Sequence, residues 1–186
     1  MLMTNFLQKR KSVRNFKNDI VPRDVLENIK LLMDELDREE SDISFSLYEN
    51  GKIVAEGLKG KAGYAGVMIE APHYIALDIS DDKPLNILKG GYCLEKLNTK
   101  IVDLDLDTCW ITVDEVDEAT KKSIFGENGT KINYLIAFGY GQKKKLFDPE
   151  VTSSRLDVNE IVFSENLGEP ISIETLENYG IFDVFS

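Results

Sequence analysis

Apolar positions along the chain follow two periods, and these define the elements. From Pro22 to about Glu39, Val25, Ile29, Leu32 and Leu36 recur at helical spacing, with Leu26 and Met33 widening the stripe. Pro22 suits the first turn of this helix, where its missing N–H is no loss. Ile43, Phe45 and Leu47 then alternate with Ser44, Ser46 and Tyr48, followed by Asn50-Gly51 and Ile53-Val54-Ala55. Alternation on both sides of Asn-Gly predicts a hairpin, because both central residues of a type I′ turn take positive φ. Residues 57–66 carry four glycines and read as a mobile connection. His73 to Asp78, after Ala71-Pro72, reads as a buried strand.

Asp81-Asp82-Lys83-Pro84 opens the longest predicted helix, with Asp81 or Asp82 as cap. Its inward stripe is expected at Leu85, Leu88, Tyr92, Leu97, Ile101 and Leu104. Gly90-Gly91 inside it costs about 1 kcal/mol per residue relative to alanine. That cost predicts close passage of another backbone or a ligand. Further on, 108–113 and 132–138 read as strands and 117–123 as a polar helix. A short amphipathic helix is expected over 3–9, and Ser172 caps a last helix that Gly180 ends. Strands and helices alternate unevenly, which predicts an α+β fold, a mostly antiparallel sheet flanked by helices, over a doubly wound one.

At 186 residues the expectation is a single domain with a real core. The net charge of −11 argues against nucleic acid as the main partner, since affinity there comes from neutralising phosphates. The longest apolar runs fall far short of the roughly 18 residues of a membrane span. No secretory signal is apparent at the N-terminus, so the cytoplasm is the expected compartment. Cys93 and Cys109 are too few for a disulfide framework or a four-cysteine zinc site, and their apolar neighbours predict buried free thiols. His73 is the single histidine, which excludes metal sites needing two and leaves little room for a Ser-His-Asp triad. Its place at a strand entry predicts a structural role.

Against this acidic background, Lys9, Arg10, Lys11, Ser12 and Arg14 put four cations and a hydroxyl within six residues. Guanidinium forks, ammonium groups and a serine hydroxyl are the donors a terminal phosphate needs, because they give charge-assisted hydrogen bonds. The same composition serves equally as a solvated face or a partner-docking patch.

Lys-Arg-Lys-Ser-Val-Arg-Asn-Phe resembles the N-terminal signature of the nitroreductase family, FMN-dependent flavoproteins. Later stretches fit the family's short acidic-helix branch in the same order: Ala71-Pro72-His73-Tyr74-Ile75, then Gly91 to Lys96, then Leu104-Asp105-Leu106-Asp107-Thr108-Cys109-Trp110, then Ser154-Arg155-Leu156. The resemblance spans roughly residues 8–163. It implies that Arg10, Lys11, Ser12, Arg14 and Arg155 hold the FMN phosphate. It also implies electron transfer from NAD(P)H to a nitroaromatic, quinone or similar acceptor, and a homodimer whose subunits share the flavin site.

Departures from the pattern are specific. Asp105 and Asp107 replace the glycines of a Leu-Gly-Leu-Gly run, and Ser153 stands where a lysine is often found. The Pro-Ser-x-x-Asn-x-Gln-Pro-Trp stretch that packs on the flavin is expected after the last helix, about where Phe185-Ser186 falls. A C-terminally truncated product, or a relative with part of its flavin pocket lost, is the corresponding expectation. A catalytic flavoenzyme, a non-catalytic flavin or phospho-ligand binder, and an inert domain with a basic docking face are thus the readings in play.

Overall fold

The computed structural model describes residues 11–63, 66–81, 83–142, 160 and 162–178. The chain divides into two compact units, Arg10–Gln142 and a second made of Met1–Lys9 with Lys143–Ser186. The expected 3–9 helix lies outside the described residues, as do Lys143 to Lys145.

In the larger unit the elements run α1 (Arg23–Glu39), β1 (Ile43–Tyr48), α2 (Gly51–Leu58), β2 (His73–Ile79), α3 (Pro84–Asp103), β3 (Asp107–Thr112), α4 (Glu118–Phe125), a 3-10 turn (Glu127–Lys131) and β4 (Ile132–Gly139). The strands form one sheet in the order β1-β2-β4-β3, with every neighbouring pair antiparallel. The α+β expectation holds.

Strand alternation builds a core on both sheet faces. On one, Tyr74 and Ala76 of β2 join Leu135 and Ala137 of β4, with Val54 and Leu58 of α2 above them. On the other, Ile75, Leu77, Ile136 and Phe138 meet Leu26, Ile29, Met33 and Leu36 of α1 and Leu94, Leu97 and Ile101 of α3. Each Val, Leu, Ile, Met or Phe side chain among them contributes about 1.5–3 kcal/mol on full burial. Helix α1 follows its sequence pattern closely, with Pro22 as the residue before it; the Pro22 carbonyl accepts from Val25 and Leu26 N–H, both at 3.1 Å.

The Asn50-Gly51 hairpin does not form. Gly51 opens α2, and β1 pairs with β2 instead. Val54, Ala55 and Leu58 are buried at helical spacing while Ile53 is exposed, the opposite of a strand facing the core. Backbone contact decides it: Gly51 N–H donates to the Pro72 carbonyl at 2.8 Å, pressing the start of α2 onto the entry of β2.

The stripe of α3 is also rotated from expectation in its first half. Leu85, Leu88 and Tyr92 are exposed, and Asn86, Gly90, Cys93 and Leu94 face inward. Asn86 Nδ2 donates to Asp81 Oδ1 at 2.8 Å, which fixes the rotation at the helix start. The N-cap is Lys83 and not Asp81, although Asp81 Oδ1 accepts Lys83 N–H at 3.1 Å; Asp82 lies outside the described residues. Gly90 makes room for the Ile79 side chain, whose Cδ1 would lie 2.7 Å from an added Cβ. A side chain, neither a backbone nor a ligand, thus accounts for it.

In the smaller unit, Phe163 and Pro170 form an antiparallel bridge that leads into α5 (Ile173–Asn178). Ser172 Oγ accepts Thr175 N–H at 3.1 Å, the expected cap. Gly180 lies outside the described residues.

Two glycines set opposite expectations for stability. An alanine at Gly51 would bring its Cβ 2.6 Å from the Pro72 carbonyl carbon, so G51A is expected to destabilise the protein by about 3 kcal/mol. A Cβ at Gly91 meets nothing within 4 Å, so G91A is expected to stabilise it by about 1 kcal/mol. Urea midpoints of both variants against wild type check the two signs.

Candidate functional site

The basic motif is an extended strap along one end of the sheet. Ser12 bridges in parallel to Thr108 at the start of β3, and Val13 N–H donates to the Thr108 carbonyl at 2.9 Å. Further along, Lys17 N–H donates to the Tyr140 carbonyl at 2.8 Å, and the Asn15 carbonyl accepts Gln142 N–H at 2.9 Å. Gln142 also donates from Nε2 to the Phe16 carbonyl at 3.0 Å. Two apolar side chains sink the strap: Phe16 is buried, and Val13 packs partly buried on the same core. Lys11, Ser12 and Arg14 remain exposed.

Arg14 lines one side of a cleft of about 570 Å³ together with Phe16, Asn18 and Gln142; residues 67–70 form the other side. That second wall is held by Tyr74, which lies within the strand expected to be buried. Its buried hydroxyl donates to the Ile69 carbonyl at 2.6 Å and accepts Ala71 N–H at 3.0 Å. Burial pushes the Tyr74 pKa up to about 12, so the phenol stays a proton donor throughout the physiological range. A tyrosine beside the buried aliphatic run Ile75-Ala76-Leu77 was the available signal, because a buried phenol needs partners.

The glycine-to-aspartate departures have a structural explanation. Asp105 takes a positive φ of 58°, a conformation aspartate tolerates better than most residues. Asp107 Oδ2 accepts Gly141 N–H at 2.9 Å, joining β3 to the segment that follows β4. That segment turns away at Gly139, whose φ of 155° suits glycine, with Pro72 Cγ 2.5 Å from a would-be Cβ.

Of the expected site residues, Lys11, Ser12 and Arg14 share one immobilised stretch. Arg10 and Arg155 lie outside the described residues. His73 is structural, as expected: it is buried, stacks on Phe138 with centroids 5.3 Å apart, and its Nε2 accepts Val21 N–H at 3.1 Å. Nε2 is therefore unprotonated, and the proton sits on Nδ1. Cys93 and Cys109 are buried free thiols. Among the described residues, no group of histidine, cysteine and carboxylate side chains could hold a metal ion, and no helix is long and apolar enough to cross a membrane.

An antiparallel α+β sheet with this strap across one end is a nitroreductase-like fold. The chain belongs to the nitroreductase family: the family described as "Putative TM nitroreductase" matches residues 3–175. An FMN-dependent nitroreductase from Clostridium difficile R20291 superposes with a TM-score of 0.66 at 20% identity, covering 87% of this chain and 98% of that one. A nitroreductase family protein from Clostridium difficile 630 gives a TM-score of 0.66 at 19% identity, covering 90% and 100%. The FMN-dependent nitroreductase of Mycobacterium smegmatis in complex with NADPH gives 0.61 at 14%, covering 74% and 86%. No curated protein matches the sequence.

His73 ties stability to pH with a definite sign. Burial lowers its pKa from the usual 6.5, so the neutral ring belongs to the folded state. Its contribution is fully present above 6.5 and is lost as pH falls below that value toward the lowered folded pKa. H73Q keeps an acceptor for Val21 without titrating. The urea-midpoint advantage of wild type over H73Q is expected to shrink as pH is lowered from about 8 to about 5; a constant difference would contradict this role.

Proposed function

We propose that this protein is an FMN-dependent oxidoreductase that passes electrons from NAD(P)H to a nitroaromatic, quinone or similar acceptor. The observation that carries the reading is the exposed Lys11, Ser12 and Arg14 on a strap fixed to the sheet, with Arg14 at the cleft. It is supported by membership of a family in which solved relatives are FMN-dependent and one is held with NADPH.

The residues present fit FMN. An ammonium, a hydroxyl and a guanidinium supply charge and directional donors for a phosphate dianion, and in a chain of net charge −11 such a cluster is a local exception. Met68, Ile69 and Phe16 give the cleft an apolar lining, and Asn15, Asn18 and Gln142 give it amide donors and acceptors. Such a mixture suits a planar heteroaromatic ring with polar edges. FMN, when bound, supplies the hydride and electron chemistry.

The chain's own work is binding and orientation. Lys11, Ser12 and Arg14 neutralise the phosphate, with Arg10 and Arg155 as the further cations the resemblance implies. The Tyr74 hydroxyl keeps the 69–71 wall in place, and Glu70 at the cleft disfavours anionic acceptors. No side-chain nucleophile is required. A homodimer in the cytoplasm, with the flavin site shared between subunits, belongs to the same proposal.

A second reading, a flavin or phospho-ligand binder without turnover, is favoured by one observation. Asp105 and Asp107 carry side chains where the resembled pattern has glycines.

Purified protein supplied with FMN is expected to retain visible flavin absorbance after dialysis and to oxidise NADH or NADPH when a nitroarene or quinone is present. R14A is expected to weaken FMN binding roughly 10- to 100-fold, the effect of losing a hydrogen bond between charged groups. R155A is expected to act in the same direction. A colourless preparation would refute the cofactor assignment, and bound FMN without turnover would select the second reading.

A further inference from the structure

We infer that Asp107 is a positioning residue for the phosphate-gripping strap, acting through Gly141. The inference rests on the proposed FMN reading for its ligand readout alone.

Beyond Thr108, the strap's backbone bonds Tyr140 and Gln142. Those residues lie past Gly139, the last residue of β4, so the far end of the strap pairs with a segment outside the regular ladder. The Asp107–Gly141 bond supplies a fixed point. Asp107 is the first residue of β3 and pairs in register with Gly139, which anchors its backbone to the sheet. Its Oδ2 then reaches past that pair to accept Gly141 N–H at 2.9 Å. Phe16 bridges to Gly141 in turn, so carboxylate, glycine and strap are consecutive links.

Gly141 leaves no space for slack. A Cβ there would lie 2.6 Å from Asp107 Oδ2 and 3.0 Å from Val13 Cγ1. The carboxylate thus holds Gly141 directly against the strap residue that lies between Ser12 and Arg14. Asp107 does not need to meet the ligand to matter. It sets where those two side chains stand, and a misplaced guanidinium loses the geometry that a charge-assisted bond requires.

The test uses the full chain and two variants. D107A removes the acceptor; D107N keeps an oxygen in the same place without the charge, and serves as the conservative rescue. Amide exchange by NMR is expected to speed up at Val13, Lys17, Gly141 and Gln142 in D107A, while Ile75 and Ile136 in the central pair keep wild-type protection. D107N is expected to keep all of them slow. FMN titration is expected to weaken at least about tenfold in D107A and to stay within about threefold of wild type in D107N.

Unchanged strap protection in D107A would overturn the inference. So would loss spread evenly over the central strands, FMN affinity unchanged in D107A, or D107N behaving like D107A. Should D107A fail to fold, wild type still decides: its Gly141 amide is expected to exchange as slowly as that of Ile136, and a freely exchanging Gly141 amide would overturn the inference. A wild type that binds no FMN refutes the flavin reading, while the exchange data continue to decide whether Asp107 holds the strap.

Discussion

Hydrogen bonds to the Thr108 and Tyr140 carbonyls and from Gln142 fix the backbone of residues 12–17 to the end of the sheet, and this docking is the constraint on which the candidate site depends. Cations on a loose N-terminal segment would lose side-chain and backbone entropy each time they gripped an anion. Here the backbone part of that cost is already met by folding. Phe16 and Val13 supply the apolar weight, and the main-chain bonds supply the register. The strap also covers part of the outer edge of β3, which would otherwise expose unpaired donors and acceptors.

Electrostatics gives the strap its meaning. Most of the molecule repels anions, since acidic residues outnumber basic ones by 33 to 22. Many lysines described in the fold are engaged with carboxylates, including Lys30 with Glu49 and Lys89 with Glu40. Lys121 is buried and donates to Asn133 Oδ1 at 3.0 Å, and burial lowers its pKa. The surface ion pairs contribute little to stability individually. Their effect is to spend positive charge locally, while Lys11, Ser12 and Arg14 are exposed on the strap.

Much of this was legible in the sequence where a single physical rule governed the outcome. Helix α1 kept its 3.6-residue period, β2 its continuous apolar run, and Ser172 its capping role, because local preference and burial agreed there. The failures lie where a distant contact outvoted the local signal. Asn50-Gly51 is a strong turn signal, yet the Pro72 carbonyl claims Gly51 N–H and α2 begins. The leucines at 85 and 88 look like core, but the Asn86–Asp81 bond and the Ile79 side chain over Gly90 turn the helix so that they face outward. At the site, the basic run and its departures Asp105 and Asp107 were readable as residue types. That Asp107 would bond Gly141, and that Tyr74 would hold the 69–71 wall, depends on pairings some 34 residues apart or on burial, and no periodicity encodes these.

The central claim is that a cationic strap holds a flavin by its phosphate. Comparing the affinities of the wild-type protein for FMN and for riboflavin, which lacks only that group, tests it most directly. The account predicts riboflavin binding at least about 100-fold weaker, with FMN affinity falling as salt is raised, as expected when several charge-assisted bonds to the phosphate are lost. Equal affinity for the two flavins, unaffected by salt, would contradict it.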